Sequence, residues 1–266
     1  MTRVVNIFSL SCRSSVPASL LMMTAIFLPA VTYAEGVTLH RQAAIAPDIA
    51  AFPRPEGNTP ALQRINKALE KADARVLSAA KGCKGNATED SLTKADGWSR
   101  KISVTMNGPT YLSYFVSDFA SCGGAHPDYG FFPLVYSLET GSPVNWVRVL
   151  PASLISKASL DSAEDGTQLG VVQSAALMKL YRASYPRQGN ADLDADAVKE
   201  CLASVLTDEV PFMLWPDAKQ HALMIQPSGL PHVVAACAVG VPLTTDILQK
   251  NGVSSAFLSV LEQARP

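Results

Sequence analysis

Histidine, paired cysteines and net charge are what this chain has least of. Its 4 histidines in 266 residues, His40, His126, His221 and His232, never fall at the i, i+4 spacing of a helical zinc pair. No two of its 5 cysteines form the C-x-x-C pair that zinc sites favour. A formal charge of −1 gives no basic field for nucleic acid. There is no G-x-S-x-G elbow. The S-x-x-K match at Ser91–Lys94 has no K-T-G partner, and the acidic run "DLDADA" lacks the glycine and final glutamate of a calcium loop. No repeat or low-complexity tract is present. These absences predict a protein without metal or cofactor.

A long membrane-spanning run is also missing. The one extended apolar stretch, "VPASLLMMTAIFLPAV", is broken by Pro17 and Pro29 and falls short of the roughly 20 residues a bilayer span needs. Arg3 and Arg13 are the only charges before it, and "VTYAEG" offers Thr32 and Ala34 as small residues at −3 and −1. The pattern predicts a signal peptide over residues 1–34, cleaved after Ala34, against the alternative of an uncleaved anchor. The expected location is periplasmic or secreted, with no stable membrane insertion.

Cleavage removes Cys12 and leaves Cys83, Cys122, Cys201 and Cys237. An even set at wide spacing in an oxidising compartment points to two disulfides. Of the three pairings we favour Cys83 with Cys122 and Cys201 with Cys237, because each joins a helix or helix end to a strand in the same half.

What is present reads as alternating blocks. Residues 35–57, with three prolines, suggest an extended arm or first strand. "NTPALQRINKALEKADARVLSAAKG" predicts a helix with Thr59 as N-cap, Pro60 at the first helical position and Gly82 as its close. "KISVTMN" and "YLSYFVSDF" alternate with period two around "NGP". "FFPLVYSLETG" follows as a third strand, Gly141 makes the turn, and "NWVRVLP" is expected to complete the sheet edge. Residues 152–207 read as helical, chiefly "QLGVVQSAALMKLYRAS" and "DADAVKECLASVLT", the latter capped by Asp192 or Asp194. "PFMLWPDAKQHALMIQPSGLPHVVAACAVGVPL" predicts a three-strand meander and "SSAFLSVLEQA" a closing helix. The fold class is α+β with antiparallel sheets packed on helices: an N-terminal sheet of three to four strands and the C-terminal meander. The domain spans 58–266, with 58–150 and 151–266 as candidate subdomains.

The stretch "SCGGAHPDYG" is the most unusual connection. Gly123 and Gly124 take conformations closed to other residues, Pro127 stiffens the exit, and His126 either bonds the backbone or acts as a base or metal ligand with Asp128 or Asp118. The structural role is favoured, since a lone histidine is more often a donor than a reacting group. The "HPD" tripeptide at 126–128 sits between strands, unlike the co-chaperone motif of the same letters. Trp98, Trp146, Trp215, Tyr111, Tyr114, Tyr129 and Phe131 include either a carbohydrate-stacking platform or plain core, and core is the commoner fate of strand aromatics.

From Tyr111 to Pro151 the chain resembles the C-terminal extracytoplasmic domain family of the lysozyme-sensing anti-sigma factor RsiV, a module found also in the non-catalytic part of a peptidoglycan deacetylase. Gly123, Gly124, Ala125 and His126 match the family's G-G-A-H turn, and Thr140 and Gly141 its T-G signature. "PSGLPHVVAACAVGVPL" looks like a diverged copy of the closing strands, with His232 and Val233 where proline and tyrosine are common. The likeness spans about residues 60–262. It implies a wall-facing, non-enzymatic domain binding a lysozyme-like protein or a peptidoglycan fragment. The expected recognition surface is the loop and its neighbours, Gly123, Gly124, Ala125, His126, Asp128 and Tyr129. An expected cleavable leader in place of a membrane span departs from the family and removes sigma-factor control from what it implies, and the four cysteines, also unlike the family, fit residence in a periplasm. A periplasmic hydrolase with His126 as base, and a purely structural envelope protein, are the competing readings.

Overall fold

The computed structural model describes residues 36–86, 97–122, 127–186 and 193–264, the side chains of 84–86 excepted. The leader, its cleavage point, Asp192 and the four positions Gly123, Gly124, Ala125 and His126 lie outside the described residues. Among those described, no helix is long and apolar enough to cross a membrane.

The arm begins and ends in two short paired strands, β1 (Leu39–His40) and β2 (Arg54–Pro55). Helix α1 (Pro60–Asn86) then starts as its sequence requires, with the Leu62 amide donating to the Thr59 hydroxyl at 3.2 Å. Leu62, Ile65, Leu69, Ala72 and Val76 are buried on one face. The helix does not close at Gly82. A solvent-facing glycine costs about 1 kcal/mol relative to alanine but removes no hydrogen bond. Buried Ala80 and Cys83 keep the last turns on the body.

Three antiparallel strands follow: β3 (Gly97–Asn107), β4 (Tyr111–Ser121) and β5 (Asp128–Ser137), in the order β3-β4-β5. Leu112, Tyr114 and Val116 of β4 with Phe132, Leu134 and Tyr136 of β5 meet the α1 face and Phe52. The arm runs along the outer edge of β3: the Arg100 amide donates to the Asp48 carbonyl at 2.9 Å, and the Ala50 amide to the Arg100 carbonyl at 3.2 Å. An edge that would otherwise offer unpaired backbone groups is thereby covered.

Residues 146–173 depart from expectation. "NWVRVLP" is not an edge strand but a 3₁₀ turn, Trp146–Arg148, started by the Asn145 side chain accepting from the Val147 amide at 3.1 Å. Trp146, Leu150 and Leu154 are the buried residues, a spacing of four that the alternating letters disguised. After a second 3₁₀ turn, Ala152–Leu154, the region is not helical until Ala175. It forms the hairpin β6 (Lys157–Ser162) and β7 (Gln168–Gln173), turning through Asp165 and Gly166, the latter at φ 71°. Helix α2 (Ala175–Ser184) starts with Ser174 accepting from the Leu177 amide at 3.2 Å. Helix α3 (Ala195–Glu200) is capped by Asp194 and passes into one π turn, Cys201–Val205.

β8 (Phe212–Asp217) and β9 (Ala222–Pro227) form as predicted, but the third strand, β10, is only Val241–Thr244. "HVVAAC" is a 3₁₀ segment instead. It is held against α2 by the Tyr185 hydroxyl donating to the Cys237 carbonyl at 3.1 Å, and the Tyr181 hydroxyl donates to the Val239 carbonyl at 2.8 Å. The meander is part of a five-stranded sheet, β10-β9-β8-β7-β6, antiparallel throughout. Short α4 (Thr245–Lys250) and the expected closing helix α5 (Ser255–Gln263) complete the chain. The fold is α+β with antiparallel sheets. The disulfides join Cys83 to Cys122 and Cys201 to Cys237, the favoured pairing.

Candidate functional site

Alternation along β4 and β5 gives their sheet two chemically different faces at the end near residue 120. Residues in register form rows, and directly opposed side chains share a face. On the outer face the rows are Ser99, Phe119, Tyr129, then Lys101, Ser117, Phe131. Tyr129 and Phe131 are 55% and 45% exposed, high for rings on a strand. Their planes lie within 6° of parallel with centroids 6.4 Å apart, and Phe119 meets the Tyr129 ring edge-on at 5.1 Å. Further along this face Phe115 packs against Trp215 of β8 at 4.9 Å, so the far end is closed and the aromatic end open. Two parallel rings flanked by serine hydroxyls and a lysine leave exposed aromatic surface beside hydrogen-bonding groups.

The inner face holds charge. Arg100, whose side chain has no solvent exposure, bonds Asp118 through both forks: Nε donates at 2.7 Å and Nη2 at 2.5 Å. Asp165, from the β6–β7 turn, stands 3.2 Å from Nη1. The Phe52 and Phe132 rings flank the guanidinium at 5.6 and 6.0 Å. Burial works against the charged guanidinium, but the hydrogen bond and charge of Asp118, with Asp165 behind it, outweigh burial and push its pKa up. Asp165 also accepts from the Thr167 amide and hydroxyl at 2.9 and 2.5 Å, which fixes the turn.

Beside it Glu164 lies over Gly130, where a Cβ would stand 2.3 Å from the carboxylate. Although the residue as a whole is exposed, burial of its carboxyl end, and then Asp118 and Asp128, raise its pKa.

Of the predicted ligand residues, the structure describes two. Asp128 and Tyr129 begin β5, both exposed, opposite Ala120 and Phe119. They are neighbours in sequence but serve opposite faces, Asp128 the acidic one and Tyr129 the aromatic one. Asp118, considered as an orienter for His126, is 2% exposed and taken up by Arg100. Trp146, Trp215 and Tyr114 are core. Among the described residues no group of three histidine, cysteine or acidic side chains is placed to hold a metal ion. Arg100, Glu164 and Asp165 were missed from sequence. Arg100 occupies the apolar phase of β3, with Ile102 and Val104, and the Asp165-Gly166 dipeptide is a strong hairpin signal.

The T-G signature has a physical basis here. Gly141 sits at φ 69°, and a Cβ there would lie 2.2 Å from the Ala61 carbonyl oxygen. The Arg64 guanidinium donates to the Thr140 carbonyl, through Nε at 2.8 Å. The turn is docked on the first turn of α1.

No family model matches the chain, and no curated protein does. Among solved structures, one described as a member of the DUF3298 family from Bacteroides fragilis aligns with a TM-score of 0.40 at 13% identity, covering 77% of this chain and 74% of its own.

Proposed function

We infer that this chain is an exported, non-enzymatic envelope protein that binds a cell-wall glycan on the outer aromatic face of the β3-β4-β5 sheet. The observation that carries the reading is the exposed, near-parallel pair Tyr129 and Phe131. Pyranose rings present apolar C–H faces that stack on aromatic rings, and the Ser99, Ser117 and Lys101 side chains of the same face supply partners for hydroxyls and carboxylates. The two disulfides fit a chain that matures in an oxidising compartment. The hydrolase reading is weakened because Asp118, one of its orienters, is committed to Arg100. A second reading, a basic lysozyme-like protein as partner, draws on Asp128 and Glu164 at the same end of the sheet.

Calorimetric titration with soluble peptidoglycan fragments tests the proposal. Binding is expected to weaken about tenfold on Tyr129→Ala or Phe131→Ala, the loss of one ring's stacking. No heat at millimolar fragment overturns it. A parallel titration with lysozyme separates the readings: lysozyme binding that survives both substitutions but falls on Asp128→Asn assigns the acidic side to a protein partner.

A further inference from the structure

The five-stranded sheet ends at β6, and nothing among the described residues pairs with its outer side. Every residue of β6 except Ala158 is exposed. The direction of its free backbone groups follows from the turn: the Ala163 amide donates to the Thr167 carbonyl at 2.8 Å. Antiparallel pairs alternate between bonded and non-bonded. Lys157, Ser159 and Asp161 therefore bond β7, and Ala158, Leu160 and Ser162 direct their N–H and C=O groups to the open edge. The edge is held rigid, because its turn is fastened to Arg100 by Asp165. Apolar surface lies along it as well. Leu160 is 53% exposed and Val147 56%, at the mouth of a cleft of ≈ 260 Å³ lined with Trp146, Ala158 and Gly170.

We propose that β6 is a self-pairing edge at which two copies of this chain join antiparallel into one continuous sheet. Only residues directing their backbone outward can form the bonded pairs, so the twofold axis must pass through a residue of β6 itself. An axis at Ser159 places Ala158 opposite Leu160 of the second copy as a bonded pair, and Lys157 opposite Asp161 as a close non-bonded pair, twice by symmetry. An axis at Ala158 or at Leu160 pairs neither charge with its opposite. The sequence "KASLDS" is thus charge-complementary to itself in one register. That register also sets each Leu160 against Ala158 of the other copy, with the two leucines as diagonal neighbours on the cleft face. A strand of this length with a small apolar flank is below the size of a permanent interface, so the dimer is a weak one.

Sedimentation equilibrium of the purified protein between about 5 and 500 µM reads this directly. The expected result is a monomer–dimer equilibrium with Kd on the order of 10–100 µM. Lys157→Asp and Asp161→Lys each weaken it tenfold or more, and the double exchange restores it to within about threefold. Leu160→Pro removes a donor that faces only the open edge, so it abolishes the dimer while the melting transition is retained. A protein monomeric throughout the range overturns the proposal. So does a dimer indifferent to the charge reversals, or one the double exchange fails to restore.

Discussion

Removing the Arg100 guanidinium would leave Asp118 and Asp165, both buried, without their counter-charge. Arg100→Met should therefore destabilise the fold by about 3–5 kcal/mol, read as a lower urea midpoint at unchanged m-value. Glu164 behaves oppositely. Its folded pKa is raised above the ordinary 4.5, first by burial. The folded chain thus holds this proton to higher pH than the unfolded chain, and stability falls as pH rises between the two values. Glu164→Gln removes that penalty. It should raise Tm at pH 7 by about 1 °C and leave it unchanged near pH 3, below the window.

Elements were legible where their instructions are local. Thr59-Pro60 and the apolar stripe announce α1, and "SSAFLSVLEQA" announces α5, because their signals lie within a few turns of each other. Within 146–173 the Asp165-Gly166 turn was locally legible and went unread, whereas the packing of 146–154 is settled by partners far away in sequence. Gly170 allows Trp146 to lie on β7, where a Cβ would stand 2.9 Å from the indole, and nothing in "QLGVVQ" alone says so. The candidate site divides in the same way. Alternation places Phe119 and Phe131 on strands while Tyr129 reads as part of the connection, although β5 already starts at Asp128, and which strand aromatics stay uncovered depends on where β8 crosses, a tertiary fact. Gly141 tests the other close approach. Gly141→Ala should cost about 1–3 kcal/mol through its backbone conformation alone, with a further loss from the collision with Ala61, again read by urea unfolding.

At the scale of the molecule, two covalent links each close a loop within one half of the chain, with separations of 39 and 36 residues. Replacing Cys201 and Cys237 together by serine frees the unfolded chain and should cost roughly 3–4 kcal/mol, measured by thermal or urea unfolding. Losing either disulfide should leave the secondary structure of the whole body in place near neutrality and low temperature, visible by far-ultraviolet circular dichroism.

The turn between β6 and β7 carries a further consequence. By inserting Asp165 beside Arg100 it makes the charge balance of one sheet depend on a hairpin that belongs to the other. Peeling that hairpin away would withdraw Asp165 from Arg100 and unroof the buried Arg100–Asp118 pair, so neither sheet has a cheap route to opening alone. In native-state hydrogen exchange, the amides of β4 and β7 should accordingly report one shared opening free energy, and melting should proceed in a single cooperative step.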